Sequence, residues 1–409
     1  MKTSNKLKIF NDPIYGFITI PNPLIFDLIA HPYFQRLRRI SQMGLSYLVY
    51  PGAHHTRFHH ALGCLHLMQK AVGILKFKGI SISNEEENAL YVAILLHDIG
   101  HGPFSHAMEH SLVHGIDHES ISLQFMQALN QEFDGQLSLA ITMFKGAYPR
   151  PFFGQLISSQ LDMDRSDYLK RDSFYTGVSE GNINSERLIS MMNVVDDQLV
   201  IELKGIYSIE KFLTARRLMY WQVYLHKTGL VAEQMIIRVL KRAKKLAQEK
   251  VPLDVSPSFD FFLKETIEHH NFDAAVLKQF SQLYDYDIIA ALKSWLNHPD
   301  EILRELSQRI LERKLLKIKF YQKSQIAAEV DRLTQKWKAQ MNHKDDAISY
   351  FIFSGSIKNT GYNPYEDGIS VLHKNGKITD VIDSSDSLNL KGLSKTVKRH
   401  YICFPKELL

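Results

Sequence analysis

One stretch limits the fold more than any other: residues 83–103 write an apolar helix that ends on a histidine–aspartate pair and then stops. Ser83 followed by Glu86 has capping-box form, with acidic residues in the first turn. Leu90, Ala93, Ile94 and His97 recur at i, i+3, i+4 and i+7, which is one helix face. That face is otherwise apolar, so the pattern predicts an inward-facing His97. Gly100, Gly102 and Pro103 end the helix. A chain built around this segment needs a helical core and a reason to bury an imidazole beside a carboxylate.

Two more helices supply the reason. One is predicted over 58–77, with Ala61, Leu65, Met68, Val72 and Leu75 as its apolar stripe and His60 beside it, in line with Cys64 and Leu67. Another, ending before Gly177, puts Leu161, Asp164 and Tyr168 on one side. A charge buried alone on such a face costs several kcal/mol, so it needs a partner or a metal. Two imidazoles, His60 and His97, and two carboxylates, Asp98 and Asp164, suit Mn, Fe, Mg, Ni or Zn. The two carboxylates also neutralise a divalent ion, leaving positions for water and a phosphate oxygen. A lone His-Asp pair is ordinarily a surface pair or a satisfied core histidine. The ordered set on three apolar helix faces is not.

Helical periodicity continues around 208–248, 259–296 and 299–340. After about 345 the character changes. The segments 347–353, 369–373 and 401–404 are short and rich in β-branched and aromatic residues, with turn signals such as Asn363-Pro364 and Lys374-Asn375-Gly376 between them. The expected fold is mainly α: a helical main body over 1–345 and a small β-containing region over 346–409 packed on it.

Composition excludes little and adds one clue. Among 409 residues, 45% are hydrophobic and 23% charged, as in ordinary globular proteins. No window approaches the roughly 20 apolar residues of a membrane span, and the first residues carry no signal-peptide pattern. Cys64 and Cys403 form neither a disulfide framework nor a zinc knuckle, which fits a reducing cytoplasm. A formal net charge of +5 is compatible with anionic ligands but too weak to argue for nucleic acid. The clue is histidine: the chain has 19, and those from His54 to His118 include most of them.

The motifs RFHHALG (57–63), HDIGHGPFSH (97–106) and LDMDRSDYLKRD (161–172) resemble the HD superfamily, whose metal ligands run His…His-Asp…Asp. The longer matches PGAHHTRFHHALG, HDIGHGPFSH and DMDRSDYLKRD look like its deoxynucleoside triphosphate triphosphohydrolase branch, as do KIFNDPIYGFI, HPYFQRLRRISQMG and YLHKTG (224–229). The resemblance runs from about residue 8 to at least 230 and implies an HD core over about 50–180. It also implies water attack on the α-phosphorus of a dNTP, releasing the deoxynucleoside and inorganic triphosphate, with a divalent metal on His60, His97, Asp98 and Asp164.

It implies further roles. His106 matches a general acid for the 5′-oxygen. His101 and His118 match phosphate-facing or proton-relay histidines, with Glu119 able to orient His118; in isolation these histidines read as caps or surface residues. Arg57, Arg165 and Arg216 match phosphate-binding positions. Tyr168, Asp172 and Gln42 match residues around the sugar, and Tyr220 and Tyr224 lie near the base. Lys8, Asn11, Gln35, Arg38, His226 and Lys227 match an activator-nucleotide site, although Ala30, Glu202 and Gln222 depart from its pattern. The branch implies a homo-oligomer, dimer or tetramer. Two other readings stand beside this one: an HD enzyme for another nucleotide phosphate ester, and a non-enzymatic nucleotide sensor or nucleic-acid binder.

Overall fold

A computed structural model describes residues 8–104, 108, 111–340, 345–386 and 389–409. The described chain opens on a hairpin of β1 (Ile9–Asp12) and β2 (Gly16–Thr19), paired from Ile9↔Thr19 to Asp12↔Gly16. The central helix is α1 (Arg57–Phe77), and it packs against both α2 (Asn84–Leu96) and α4 (Met163–Thr176). Between them in sequence lies α3 (His118–Glu132). The burial of α1 is wider than one stripe: Phe58, Leu62, Cys64 and Leu67 are buried along with Ala61, Leu65, Met68, Val72 and Leu75. Each such aliphatic side chain contributes roughly 1.5–3 kcal/mol on burial, so α1 organises the core.

Local chemistry sets the ends of these helices. The Ser83 side chain accepts from the Glu86 amide at 3.1 Å, and the Glu86 carboxylate accepts from the Ser83 amide at 2.8 Å, closing the capping box. The carboxylate of Asp162 caps α4 by accepting from the Arg165 amide at 2.7 Å, and Gly177 ends it in the left-handed conformation at φ 73°. Beyond α5 (Ile206–Met219) a π-helical turn, Tyr220–Tyr224, intervenes before α6 (Lys227–Gln248). Such turns redirect side chains in an otherwise regular helix.

The mainly helical class holds, but strands enter earlier than expected. Strands β3 (Met192–Val195) and β4 (Gln198–Glu202) form a hairpin within the first 345 residues. The run 299–340 is broken by β5 (Lys317–Tyr321) before α7 (Ile326–Gln340), and 259–296 is split into shorter helices. Conversely, 347–353 is not a strand: Ile348–Phe351 is helical, with Phe351 stacked on Trp337 at 5.3 Å, and β6 (Phe353–Asn359) begins after it. Strands β7 (Ser370–Leu372), β8 (Ile378–Asp380) and β9 (Val397–Phe404) complete two sheets, ordered β8-β7-β4-β3 and β5-β9-β6. Both sheets join residues from either side of 345. Among the described residues no helix is long and apolar enough to cross a membrane.

Candidate metal centre

Three helices bring four side chains to one point. His60 is fully buried on α1, His97 and Asp98 follow the last turn of α2, and Asp164 lies in the first turn of α4. His60 Nε2 is 3.0 Å from Asp164 Oδ1 and 3.6 Å from Asp98 Oδ2. His97 Nε2 is 3.5 Å from Asp98 Oδ1 and 3.6 Å from Asp164 Oδ1. Ligand atoms sharing one ion at about 2.0–2.2 Å stand about this far apart.

The ring nitrogens are already sorted. His97 Nδ1 is 2.7 Å from the Ile94 carbonyl and so carries the proton, leaving a lone pair on Nε2. That Nε2 is buried with no hydrogen-bond partner among the described residues. His60 Nδ1 faces Asp167 Oδ2 at 2.8 Å, which directs its Nε2 inward in the same way. An orphaned buried nitrogen beside two carboxylates fits a divalent metal. Cys64 is a rival to Asp98, because its Sγ groups with His60, His97 and Asp164 within 4.8 Å. Burial pushes its thiol well up, so it stays protonated and is the weaker ligand. Asp98, His101 and His118 form a second group of donors. The imidazoles of His101 and His118 stack at 3.9 Å and 16°, however, and parallel rings aim their lone pairs side by side rather than at one ion.

Electrostatics keep the carboxylates charged. Burial alone would raise Asp98, but the charges of His97 and Arg57 and a hydrogen bond from His101 hold it well below the usual range. Asp164 behaves likewise: the facing imidazoles of His60 and His97 outweigh burial. His101 goes the other way. Burial and the nearby Arg57 pull it down to about 3, so its imidazole is neutral near pH 7.

This cluster forms part of the wall of a cavity of about 540 Å³. Its lining includes Asp98, Asp164, Arg57, Arg165, His101 and His118, together with Gln42, Tyr168, Asp172, Tyr220 and Tyr224. Arg57 pairs with Asp98. Arg165 Nε donates to the Ser159 carbonyl at 2.6 Å. The Tyr168 hydroxyl and Gln42 Oε1 are buried without a hydrogen-bond partner among the described residues. Asp172 is anchored on both oxygens, by Tyr224 at 2.8 Å and His55 at 2.7 Å. Tyr224 meets Tyr168 and Tyr220 edge to face, with centroids 5.9 and 5.2 Å apart.

Several expected residues fall elsewhere. Arg216 does not line the cavity; it donates to the Gln160 carbonyl at 3.2 Å and to Gly361, tying α5 to the C-terminal region. Glu119 is exposed and off the cavity wall. His106 lies outside the described residues. The expected activator positions make contacts with their own neighbours. Lys8 stands over Phe26 at 5.0 Å, Asn11 is exposed on β1, and Gln35 bonds Ile29 and Arg38. His226 caps α6 beside Tyr50, and Lys227 stands over Phe320 at 5.3 Å. Sequence reasoning missed His55, Asp167, Arg171 and Asp12. The latter three form a buried charged row behind His60.

Residues 57–169 match the HD domain family, and residues 183–254 match the HD associated region. The uncharacterized protein YwfO of Bacillus subtilis is 32% identical, with the alignment covering 98% of this chain and 93% of that protein. A protein of Dictyostelium discoideum named as a deoxynucleoside triphosphate triphosphohydrolase SAMHD1 homolog is 33% identical over 56% of this chain and 48% of its own length, so the chain spans about half of that relative. A solved phosphohydrolase of Bacteroides thetaiotaomicron is 50% identical with a TM-score of 0.93, covering 98% of this chain and all of that one.

Proposed function

The chain belongs to the HD-domain phosphohydrolase family, and from that membership we propose that it hydrolyses dNTPs to deoxynucleoside and inorganic triphosphate. One observation carries the reading. A single cavity is lined by Asp98 and Asp164, by Arg57 and Arg165, and by Tyr168, Tyr220 and Tyr224, with the Tyr168 hydroxyl and Gln42 Oε1 unpartnered among the described residues. A site for a simple phosphate ester needs the first part and not the second.

The roles follow from position. His60, His97, Asp98 and Asp164 would hold a divalent ion, which would supply Lewis-acid polarisation of a phosphate and activation of a water. Arg57 and Arg165 bring two permanent charges to a ligand carrying nearly four negative ones. Neutral His101, stacked on His118, offers N–H contact to a phosphate oxygen without adding charge. Water adds at the α-phosphorus, the bond to the 5′-oxygen breaks, and that oxygen leaves with a proton assigned to His106. The Tyr168 hydroxyl and Gln42 contact the sugar edge. Asp172, oriented by His55 and Tyr224, accepts from the 3′-hydroxyl. Tyr220 and Tyr224 form the base wall. The protein acts as a cytoplasmic homo-oligomer.

Product chromatography tests this. Metal-loaded protein is incubated with each dNTP singly and with all four mixed, against rNTP controls. Deoxynucleoside plus triphosphate is the expected outcome, and turnover confined to mixtures adds nucleotide activation. Orthophosphate or pyrophosphate release transfers the site to another phosphate ester. Binding without turnover makes the protein a sensor.

A further inference from the structure

Behind the metal ligands runs a buried row of charges that none of the roles above uses. His60 turns Nδ1 to Asp167 Oδ2 at 2.8 Å. Arg171 grips Asp167 with two bonds, Nε to Oδ2 at 2.9 Å and Nη2 to Oδ1 at 3.0 Å. Its third bond, from Nη1, reaches Asp12 Oδ2 at 2.8 Å. Asp12 ends β1, and its Oδ1 accepts from the amides of Ile14 and Tyr15 at 2.9 and 3.0 Å, fixing the turn of the hairpin. Asp167 and Arg171 are 0% exposed and Asp12 is 7% exposed.

The main helix makes room for this row. A Cβ on Gly63, one turn beyond His60, would stand 1.9 Å from Asp167 Oδ1 and 2.3 Å from Arg171 Nη2. So α1 omits a side chain where the ion pair presses against it. Two carboxylates on one guanidinium also leave one negative charge in excess. On the metal side the row ends at His60 Nδ1, 2.8 Å from Asp167 Oδ2. A carboxylate in that position fixes the tautomer and raises the basicity of the nitrogen that faces a metal.

We propose that Asp12, Arg171 and Asp167 are positioning residues for His60, so that the N-terminal hairpin holds the orientation and tautomer of a metal ligand. Asp12 aims Arg171, Arg171 aims Asp167, and Asp167 decides which nitrogen of His60 carries hydrogen. The proposal rests on the metal-centre reading. It also joins β1, where Asn11 is exposed next to Asp12, to the chemistry of the cavity.

The test uses the full chain with Mn²⁺ titrated against a chromophoric chelator, and ¹⁵N imidazole spectra of the metal-free protein. Asp167→Asn keeps the shape but can donate to Nδ1, which selects the tautomer with hydrogen on Nε2. Affinity should fall on the order of 10- to 100-fold, and the His60 tautomer should switch. Gly63→Ala should weaken binding in the same way, and Asp12→Asn to a lesser degree with a shifted His60 signal. Wild-type affinity and tautomer in both Asp variants overturn the proposal alone. A wild-type result for Asp12→Asn beside a weak Asp167→Asn removes the hairpin from it. No Mn²⁺ binding by the wild-type protein overturns the metal-centre reading and this proposal with it. Should Asp167→Asn fail to fold, Asp12→Asn, which keeps the Asp167–Arg171 pair, decides by the same two readouts.

Discussion

His97 has its Nδ1 satisfied by the Ile94 carbonyl and its Nε2 buried without a partner among the described residues. An unsatisfied buried polar atom costs about 1–3 kcal/mol, a cost that a bound metal offsets. His97→Ala should therefore reduce metal content to background while lowering the melting temperature of the metal-free protein much less than that of the metal-loaded one. Metal analysis with calorimetry checks both halves; wild-type metal content would refute the ligand assignment. The pH dependence has two opposite signs. For His97, burial alone would lower the ring, but Asp98 and Asp164 hold it above its ordinary value. For His60, burial is likewise outweighed, by hydrogen bonds to Asp164 and Asp167. Protons and metal compete for these nitrogens, so Mn²⁺ affinity should fall as pH drops from about 8 to about 6. In the metal-free protein the raised rings stabilise the fold fully below the unfolded value of about 6.5, and that contribution is lost as pH rises through their folded values. Melting with and without metal across that range should move in opposite directions. The ligands were legible because an ionisable side chain on an apolar helix face breaks a pattern. Asp167 and Arg171 were not, because inside DMDRSDYLKRD they read as one more solvated i,i+4 pair.

At the scale of elements, the turn after α2 is held against α3 with no room to spare. A Cβ on Gly100 would lie 2.2 Å from the His118 carbonyl. Gly100→Ala should push that turn away, displacing Asp98 and His101, with a loss of about 1–3 kcal/mol and of metal affinity. Gly177→Ala is the contrast: nothing lies within 4 Å, so only the left-handed φ of 73° opposes it. It should cost about 1 kcal/mol and leave metal binding intact. Chemical denaturation and Mn²⁺ titration of the pair separate the two; equal metal affinities would remove the special status of Gly100. Helices α1 and α2 were readable from their periodicity and caps. Strand β5 was not, because Lys317–Tyr321 alternates within a charged run and becomes a strand only by pairing with β9, distant in sequence. The stretch 347–353 failed the other way: its aromatic content suggested a strand, but Phe351 is used to cover Trp337.

For the whole molecule, the sheets make the last residues part of the body. Strand β9 pairs with β5 as well as β6, and β7 pairs in parallel with β4. A chain cut after residue 345 would expose the edges of β4 and β5 and lose the Gly361 acceptor of Arg216. It should be aggregation-prone and without a cooperative melt, which solubility and calorimetry would reveal; a soluble, cooperatively melting fragment would mean that the main body folds alone. The same ties set an order in time. Gln160, two residues before the cap of α4, bonds both the amide and the carbonyl of Asn363, and Asp164 and Arg165 follow on that helix. Synthesis runs from the N-terminus, so on the ribosome His60, His97 and Asp98 emerge long before the segment that braces the helix of Asp164. A nascent chain thus carries His60, His97 and Asp98 before Asn363 is there to brace the start of the helix that bears Asp164.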